Sequence, residues 1–142
     1  MKNHKITGGG SLQLHLVETG NSSGRPIMFI HGVSQCWLTW SRQLNSDLAD
    51  GYRLVAMDIR GNGLSDKPRE GYTDSKLWAD GVNVAIQALK LDHPFSAIGH
   101  TGPLVILDYI RHYGEDGISG SSSGVSQPPA RFLCHERRRE HA

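Results

Sequence analysis

Leu54-Val55-Ala56-Met57-Asp58-Ile59-Arg60-Gly61-Asn62-Gly63-Leu64-Ser65 starts as four apolar residues and ends as a glycine-rich polar run. A short apolar run that stops abruptly at polar and turn residues predicts a strand buried on both faces. The same design occurs upstream, where Ile27-Met28-Phe29-Ile30 runs into His31-Gly32-Val33. It recurs downstream, where Pro94-Phe95-Ser96-Ala97-Ile98 runs into Gly99-His100-Thr101-Gly102-Pro103. Three buried strands, each closed by a turn that carries polar groups, set the frame for the rest of the chain.

Between and around these strands the spacing of apolar residues changes to that of helices. Trp37, Trp40, Leu44 and Leu48 recur every three or four residues and predict a helix over 37–48, closed by Gly51. Leu77, Trp78, Val82, Ala85, Ile86 and Leu89 predict a second, with Thr73-Asp74-Ser75 as candidate N-cap residues. Leu104 to Tyr113 predicts a third, with Pro103 near its first position, where a missing N–H costs little. The segment Arg60 to Gly71 contains Gly61, Gly63, Pro68 and Gly71 and is expected to be a loop.

Ahead of the frame, Leu12, Leu14 and Leu16 alternate with polar residues, the pattern of a strand with one buried face, and Lys5 to Thr7 offers a short partner. The alternation of strands and helices implies an α/β domain with a mostly parallel sheet and flanking helices over 1–118. Residues 119–142, rich in Ser, Gly, Pro and charge, bury too little apolar surface to offset their ordering entropy and read as a disordered, low-complexity tail. With no strand recognisable in that tail, the strand at 94–98 is expected to be open on one side.

Composition narrows the function classes. Fifteen Lys and Arg against fourteen Asp and Glu leave a formal charge of +1, so no overall field draws in nucleic acid, and Arg137-Arg138-Arg139 reads as part of a solvated tail. No run of about 18 apolar residues is present to span a membrane. Cys36 and Cys134 fit no CxxC or metal-ligand spacing, and no signal peptide is apparent, so a reduced, cytoplasmic protein without metal or cofactor is the expectation. A nucleotide-binding module is excluded by position: Gly61-Asn62-Gly63 follows a later strand and leads into a loop, not into a helix.

In an open parallel sheet, ligands bind at the carboxyl ends of the strands, where the three polar turns lie. His31-Gly32-Val33 and Asp58-Ile59-Arg60-Gly61-Asn62-Gly63-Leu64-Ser65, in this order and spacing, resemble the HGx and DxRGxGxS motifs of the α/β-hydrolase superfamily, in particular its esterase, haloperoxidase-like and epoxide-hydrolase-like branches. Trp37, Trp40, Asp66-Lys67-Pro68 and Tyr72-Thr73 extend the likeness over residues 11–118, the N-terminal half of such a fold, truncated. The resemblance implies hydrolysis of an ester, epoxide or similar bond of a small apolar substrate, through a Ser nucleophile, an acid and a general-base His. It also implies that the backbone N–H of Val33 is an oxyanion-hole donor, with a second from Gly102. Asp58, Arg60 and Ser65 are scaffold in this reading, and the His31 ring holds the loop after its strand. Asn62 stands where relatives commonly carry His.

The likeness fails at the nucleophile. The family elbow is a five-residue G-x-S-x-G turn, whereas Gly99-His100-Thr101-Gly102 is one residue short and holds no Ser. Thr101 occupies the nucleophile position, but a β-branched residue fits the positive-φ tip of the elbow poorly, and a neighbour such as His100 points away from it. Asp108, Glu115 and Asp116 follow the elbow too closely to be the family acid, and His135 and His141 fall in the tail. A lost residue at the elbow, followed by a Ser, Pro and Arg-rich end, has the form that reading-frame changes leave in a coding sequence. The alternative to a hydrolase is therefore an inactive fragment or pseudoenzyme that acts as a binding module. Oligomeric state is not legible.

Overall fold

The structure, a computed structural model, describes residues 1–99 and 102–123. Six strands form one sheet: β1 (Lys2–Thr7), β2 (Gln13–Gly20), β3 (Arg25–Ile30), β4 (Tyr52–Met57), β5 (Phe95–Ile98) and β6 (Gly120–Ser123), in the order β1-β2-β4-β3-β5-β6. β3 pairs in parallel with β4 and β5, and β5 with β6, while β2 is antiparallel to both β1 and β4. The three strands predicted as buried are thus adjacent and parallel. The chain moves from β3 to β4 on one side, then crosses back over β3 to reach β5 on the other, and this reversal opens a crevice at the carboxyl ends.

Alternation along β3 and β4 sorts the core into two layers. Met28, Ile30, Val55 and Met57 face a layer built with Val82, Ala85 and Ile86 of α3 (Ser75–Ala88) and Val105, Ile106 and Tyr109 of α4 (Gly102–Tyr113). Phe29, Leu54 and Ala56 face the opposite layer, closed by Trp37, Trp40 and Leu44. Each fully buried aliphatic side chain contributes roughly 1.5–3 kcal/mol. The N-cap expectation for α3 holds at Asp74, whose side chain accepts a 3.0 Å hydrogen bond from the Lys76 N–H.

Four expectations change. The helix predicted over 37–48 is broken into a 3-10 turn (Trp37–Trp40), α1 (Ser41–Leu44) and α2 (Leu48–Gly51). Asn45 Nδ2 donates to the Ser41 carbonyl and Ser46 Oγ to the Gln43 carbonyl, so side chains take acceptors that a continuing helix needs. On β2, His15 and Val17 are buried along with Leu14 and Leu16, because that strand is covered on both faces. Gly120–Ser123, inside the stretch read from composition as a tail, pair with β5 as β6, so β5 has neighbours on both sides. A strand of glycine and serine has little β propensity of its own, and the backbone ladder along β5 supplies the order. Residues 124–142 lie outside the described residues. Cys36 is buried and is not a free thiol, which departs from the all-reduced expectation. No helix among the described residues is long and apolar enough to cross a membrane.

Candidate active site at the carboxyl ends of the strands

The turns after β3 and β5 are brought into contact by a missing side chain. Gly99 N–H donates to the Ile30 carbonyl at 2.7 Å, and a Cβ on Gly99 would lie 2.7 Å from the Gly32 nitrogen and 3.1 Å from the His31 carbonyl carbon. Only glycine allows the two turns to approach this closely. Val33, 62% exposed, follows directly on one turn. Gly102 opens α4 on the other, where the first N–H groups of a helix have no partner within it and the helix dipole favours negative charge. Thr101, the residue expected at the nucleophile position, and His100 lie outside the described residues.

Within the first turn the Gly32 peptide groups are braced from two sides. Gly32 N–H donates to Gln35 Oε1 at 2.9 Å, while the Gly32 carbonyl accepts from the Gln35 N–H at 3.2 Å and from His31 Nδ1 at 2.6 Å. Ser34 holds a positive φ of 62°, a conformation that non-glycine residues adopt at a cost and that is common at functional turns. The sequence gives no signal for either Gln35 or Ser34, since neither residue type marks a turn of this geometry. The His31 ring is fully buried, and its Nε2 accepts from the Ile59 N–H at 3.1 Å. That bond fixes the tautomer, with the proton on Nδ1. Burial keeps His31 below the ordinary histidine value of 6.5, outweighing the opposite influence of the Gly32 carbonyl and of Asp58.

Asp58 is tied into the fold at every turn. Its Oδ2 accepts from His15 Nδ1 at 2.8 Å and from the Leu64 N–H at 2.9 Å, and its Oδ1 accepts from the Trp37 N–H at 2.7 Å. His15 Nε2 lies 2.8 Å from Asn3 Oδ1, which carries the network into β1. Ser65 Oγ donates to the Asp58 carbonyl at 2.6 Å and accepts from the His15 N–H at 2.8 Å. Gly63, at φ 54°, leaves room that a Cβ would take from the Asp58 carboxyl. Arg60 Nη2 donates to the Glu70 carbonyl at 3.0 Å, and Asn62 Nδ2 to the Arg60 carbonyl at 3.0 Å. The scaffold role expected for Asp58, Arg60 and Ser65 is the one their hydrogen bonds describe.

With this geometry in place, comparison with known proteins is direct. A family model described as the alpha/beta hydrolase fold matches residues 25–101, more than half of the 142-residue chain. The chain belongs to the α/β-hydrolase family. Epoxide hydrolase 1 of Caenorhabditis elegans is 36% identical over 106 residues, covering 73% of this chain and 26% of that protein. AB hydrolase superfamily protein YisY of Bacillus subtilis (strain 168) is 37% identical over 94 residues, covering 66% and 35%. Among solved structures, the esterase RhEst1 from Rhodococcus sp. ECU1013 superposes with a TM-score of 0.82 at 34% identity, over 87% of this chain and 45% of that one. The chain spans about a quarter to a third of the length of these two curated hydrolases, and their match to it falls on the N-terminal part of the α/β-hydrolase fold described above.

The described histidines are all placed away from base chemistry at this site. His15 and His31 are held in the scaffold bonds above. His4 pairs with Glu18 at 2.7 Å, and exposed His93 contacts Asp92. His112 sits in the last turn of α4, at the end away from Gly102. An open cleft lined by Ile27, Tyr52, His93 and Phe95 lies at the amino ends of the strands, the wrong end for Val33 and Gly102.

Proposed function

We propose that this chain supplies the oxyanion-hole side of a hydrolase site for a small apolar ester or epoxide, and that the polypeptide by itself binds such a ligand without turning it over. The backbone N–H groups of Val33 and Gly102 are the donors, and Thr101 stands at the nucleophile position. The observation that carries this reading is the approach of Gly99 to Gly32, which sets the start of α4 beside the turn of His31 and Val33. Two N–H donors converging on one point stabilise charge developing on an oxygen, a term whose loss costs typically 100- to 1000-fold in rate per donor.

The second half of the reading rests on what the site lacks. Hydrolysis through a hydroxyl needs a base within hydrogen-bond reach of it. Among the described residues each histidine near the carboxyl ends has both ring nitrogens engaged, and the elbow sequence holds Thr where the family motif holds Ser. The test uses the 142-residue chain with a chromogenic short-chain ester, p-nitrophenyl butyrate, and with styrene oxide. The expected result is no turnover above buffer for either. Ester hydrolysis that disappears on Thr101→Ala would overturn the inactive reading and establish Thr101 as a nucleophile.

A further inference from the structure

We infer that the amino ends of β3, β4 and β5 form a second ligand site, which takes a small aryl carboxylate: the ring lies on Ile27 between Tyr52 and Phe95, and the carboxylate meets the Arg25 guanidinium. The site is at the opposite end of the strands from Gly32 and Gly99, and it does not rest on the oxyanion-hole reading.

The strand register puts these side chains together. Arg25 and Tyr52 are partners across β3 and β4, and Ile27 is the partner of both Leu54 on β4 and Phe95 on β5. Successive residues of a strand face opposite sides of the sheet, so Arg25, Ile27 and Phe29 share one face of β3, as Tyr52, Leu54 and Ala56 share one face of β4. That face is the layer closed by Trp37, Trp40 and Leu44. The closure does not reach its lowest rows, where Tyr52 is 41% and Phe95 38% exposed. Two aromatic side chains left in water on an otherwise packed face form a surface that gains by being covered. With Leu48 and His93 they wall a cleft of about 290 Å³, near the lower end of the range for small-molecule sites.

The cleft has a shape and a charge. Neighbouring strands lie about 4.8 Å apart, so Tyr52 and Phe95, one strand to either side of β3, stand about 10 Å apart across a floor of Ile27. That gap admits one flat ring, which meets both aromatic walls by edge or face. Arg25 is exposed, lines the same cleft and has no hydrogen-bond or ion-pair partner among the described residues. A guanidinium presents its N–H groups in a planar fork that fits a carboxylate through two parallel hydrogen bonds. One cation beside an apolar floor matches a monoanion with an apolar body. Asp92 is paired with His93 Nδ1 at 2.5 Å, Glu115 and Asp116 line a second recess that shares His93, and among the described residues none of the three engages Arg25. His93 itself holds a positive φ of 45°, a conformation that costs a non-glycine residue and recurs at ligand clamps.

The test is amide nuclear magnetic resonance on the full chain with 2-naphthoate, set against 2-naphthamide, its neutral counterpart, and against acetate, which lacks the ring. Naphthoate is expected to bind with a Kd of about 1 mM and to shift the amides of Ile27, Tyr52 and Phe95 while those of Gly32 and Gly99 stay in place. Naphthamide is expected to bind about five- to tenfold more weakly, and acetate to leave these amides unmoved at about 10 mM. Arg25→Gln is expected to bring naphthoate down to the affinity of naphthamide and to leave naphthamide unchanged. Equal affinity of the wild type for naphthoate and naphthamide overturns the inference, and that measurement needs no variant. Naphthoate affinity unchanged in Arg25→Gln overturns it as well, as does the absence of any shift at Ile27, Tyr52 and Phe95. Shifts confined to Gly32 and Gly99 would assign the ligand to the carboxyl ends, overturning this site and leaving the proposed function standing.

Discussion

The turns that end β4 and β5 lie on either side of β3, and they are built by opposite means. At the end of β4, Asp58, His15, Ser65 and Arg60 fill the space with side chains whose hydrogen bonds are directed at one another and at the backbone. At the end of β5, Gly99 contributes no side chain at all, and contact with Gly32 is backbone against backbone. The residues with chemically suggestive identities thus direct their hydrogen bonds into the fold. The plain residues Gly32 and Gly99 meet through their backbones, and Val33 beside them is exposed. In this fold a carboxylate, a serine and two histidines serve as joinery, and the candidate chemistry belongs to amides.

The comparison breaks most visibly at Asp58. Asp58→Ala leaves the His15 ring, the Trp37 N–H and the Leu64 N–H without their acceptor in a buried setting. A loss of about 3–5 kcal/mol is expected, comparable to much of a small domain's net stability. Denaturant titration followed by circular dichroism measures it, and a loss below about 1 kcal/mol would show that the network is not what holds this end together.

At the other end, Gly99→Ala places a methyl group 2.7 Å from the Gly32 nitrogen and forces one turn to move. The expected cost is about 1–3 kcal/mol, the usual range for overpacking. The same variant should displace the Val33 amide resonance, while Asp58-side amides such as Leu64 stay near their wild-type positions. Equal displacement at both ends would mean that the two turns are not built independently.

His31 links the two ends and gives the comparison a pH axis. Its proton affinity in the fold lies below its ordinary value of 6.5, so unfolding takes up a proton once the pH falls below that value. Stability from this group is complete above about pH 6.5 and declines as the pH drops toward the lowered folded-state value, by at most about 1.4 kcal/mol per pH unit for one proton. Melting temperatures of the wild type and of His31→Asn across pH 4.5–7.5 test this, and parallel curves would rule it out. The smallest effect is expected on β5 itself. Ser96 Oγ is buried with no hydrogen-bond partner among the described residues, so Ser96→Ala should leave stability unchanged or raise it by about 1 kcal/mol or less.

How much of this was legible in sequence depends on whether pattern or partner decides. The runs at 27–30 and 54–57, short and closed by turn residues, read as buried strands, and the glycine-rich turn after Asp58 implies a scaffold loop. Those readings hold because apolar patterning is a property of the segment itself. The helix expected over 37–48 has the right spacing, but Asn45 and Ser46 compete for its carbonyls, which spacing does not record. β6 is made of Gly120-Ser121-Ser122-Ser123 and owes its form to β5, so no property of those four residues announces it. At the site, the turn at His31 and Gly32 after β3 is legible from the motif, while the donor role of Val33 is a proposal. The bracing by Gln35 and the positive φ of Ser34 are not legible, because each depends on the turn already having formed.

The strand order leaves one further consequence, for the path by which the chain folds. β2 and β3 are joined by only four residues, 21–24, and are antiparallel in direction, yet they do not pair with each other, because β4 lies between them. The nearest partner in sequence is not the partner in space. Until β4 arrives, a local hairpin of β2 on β3 competes with the native sheet, and it must open for β4 to enter. Such a detour replaces a short loop closure with a long one, which slows folding, and it predicts a refolding phase that accelerates when the 21–24 link is changed to disfavour the hairpin.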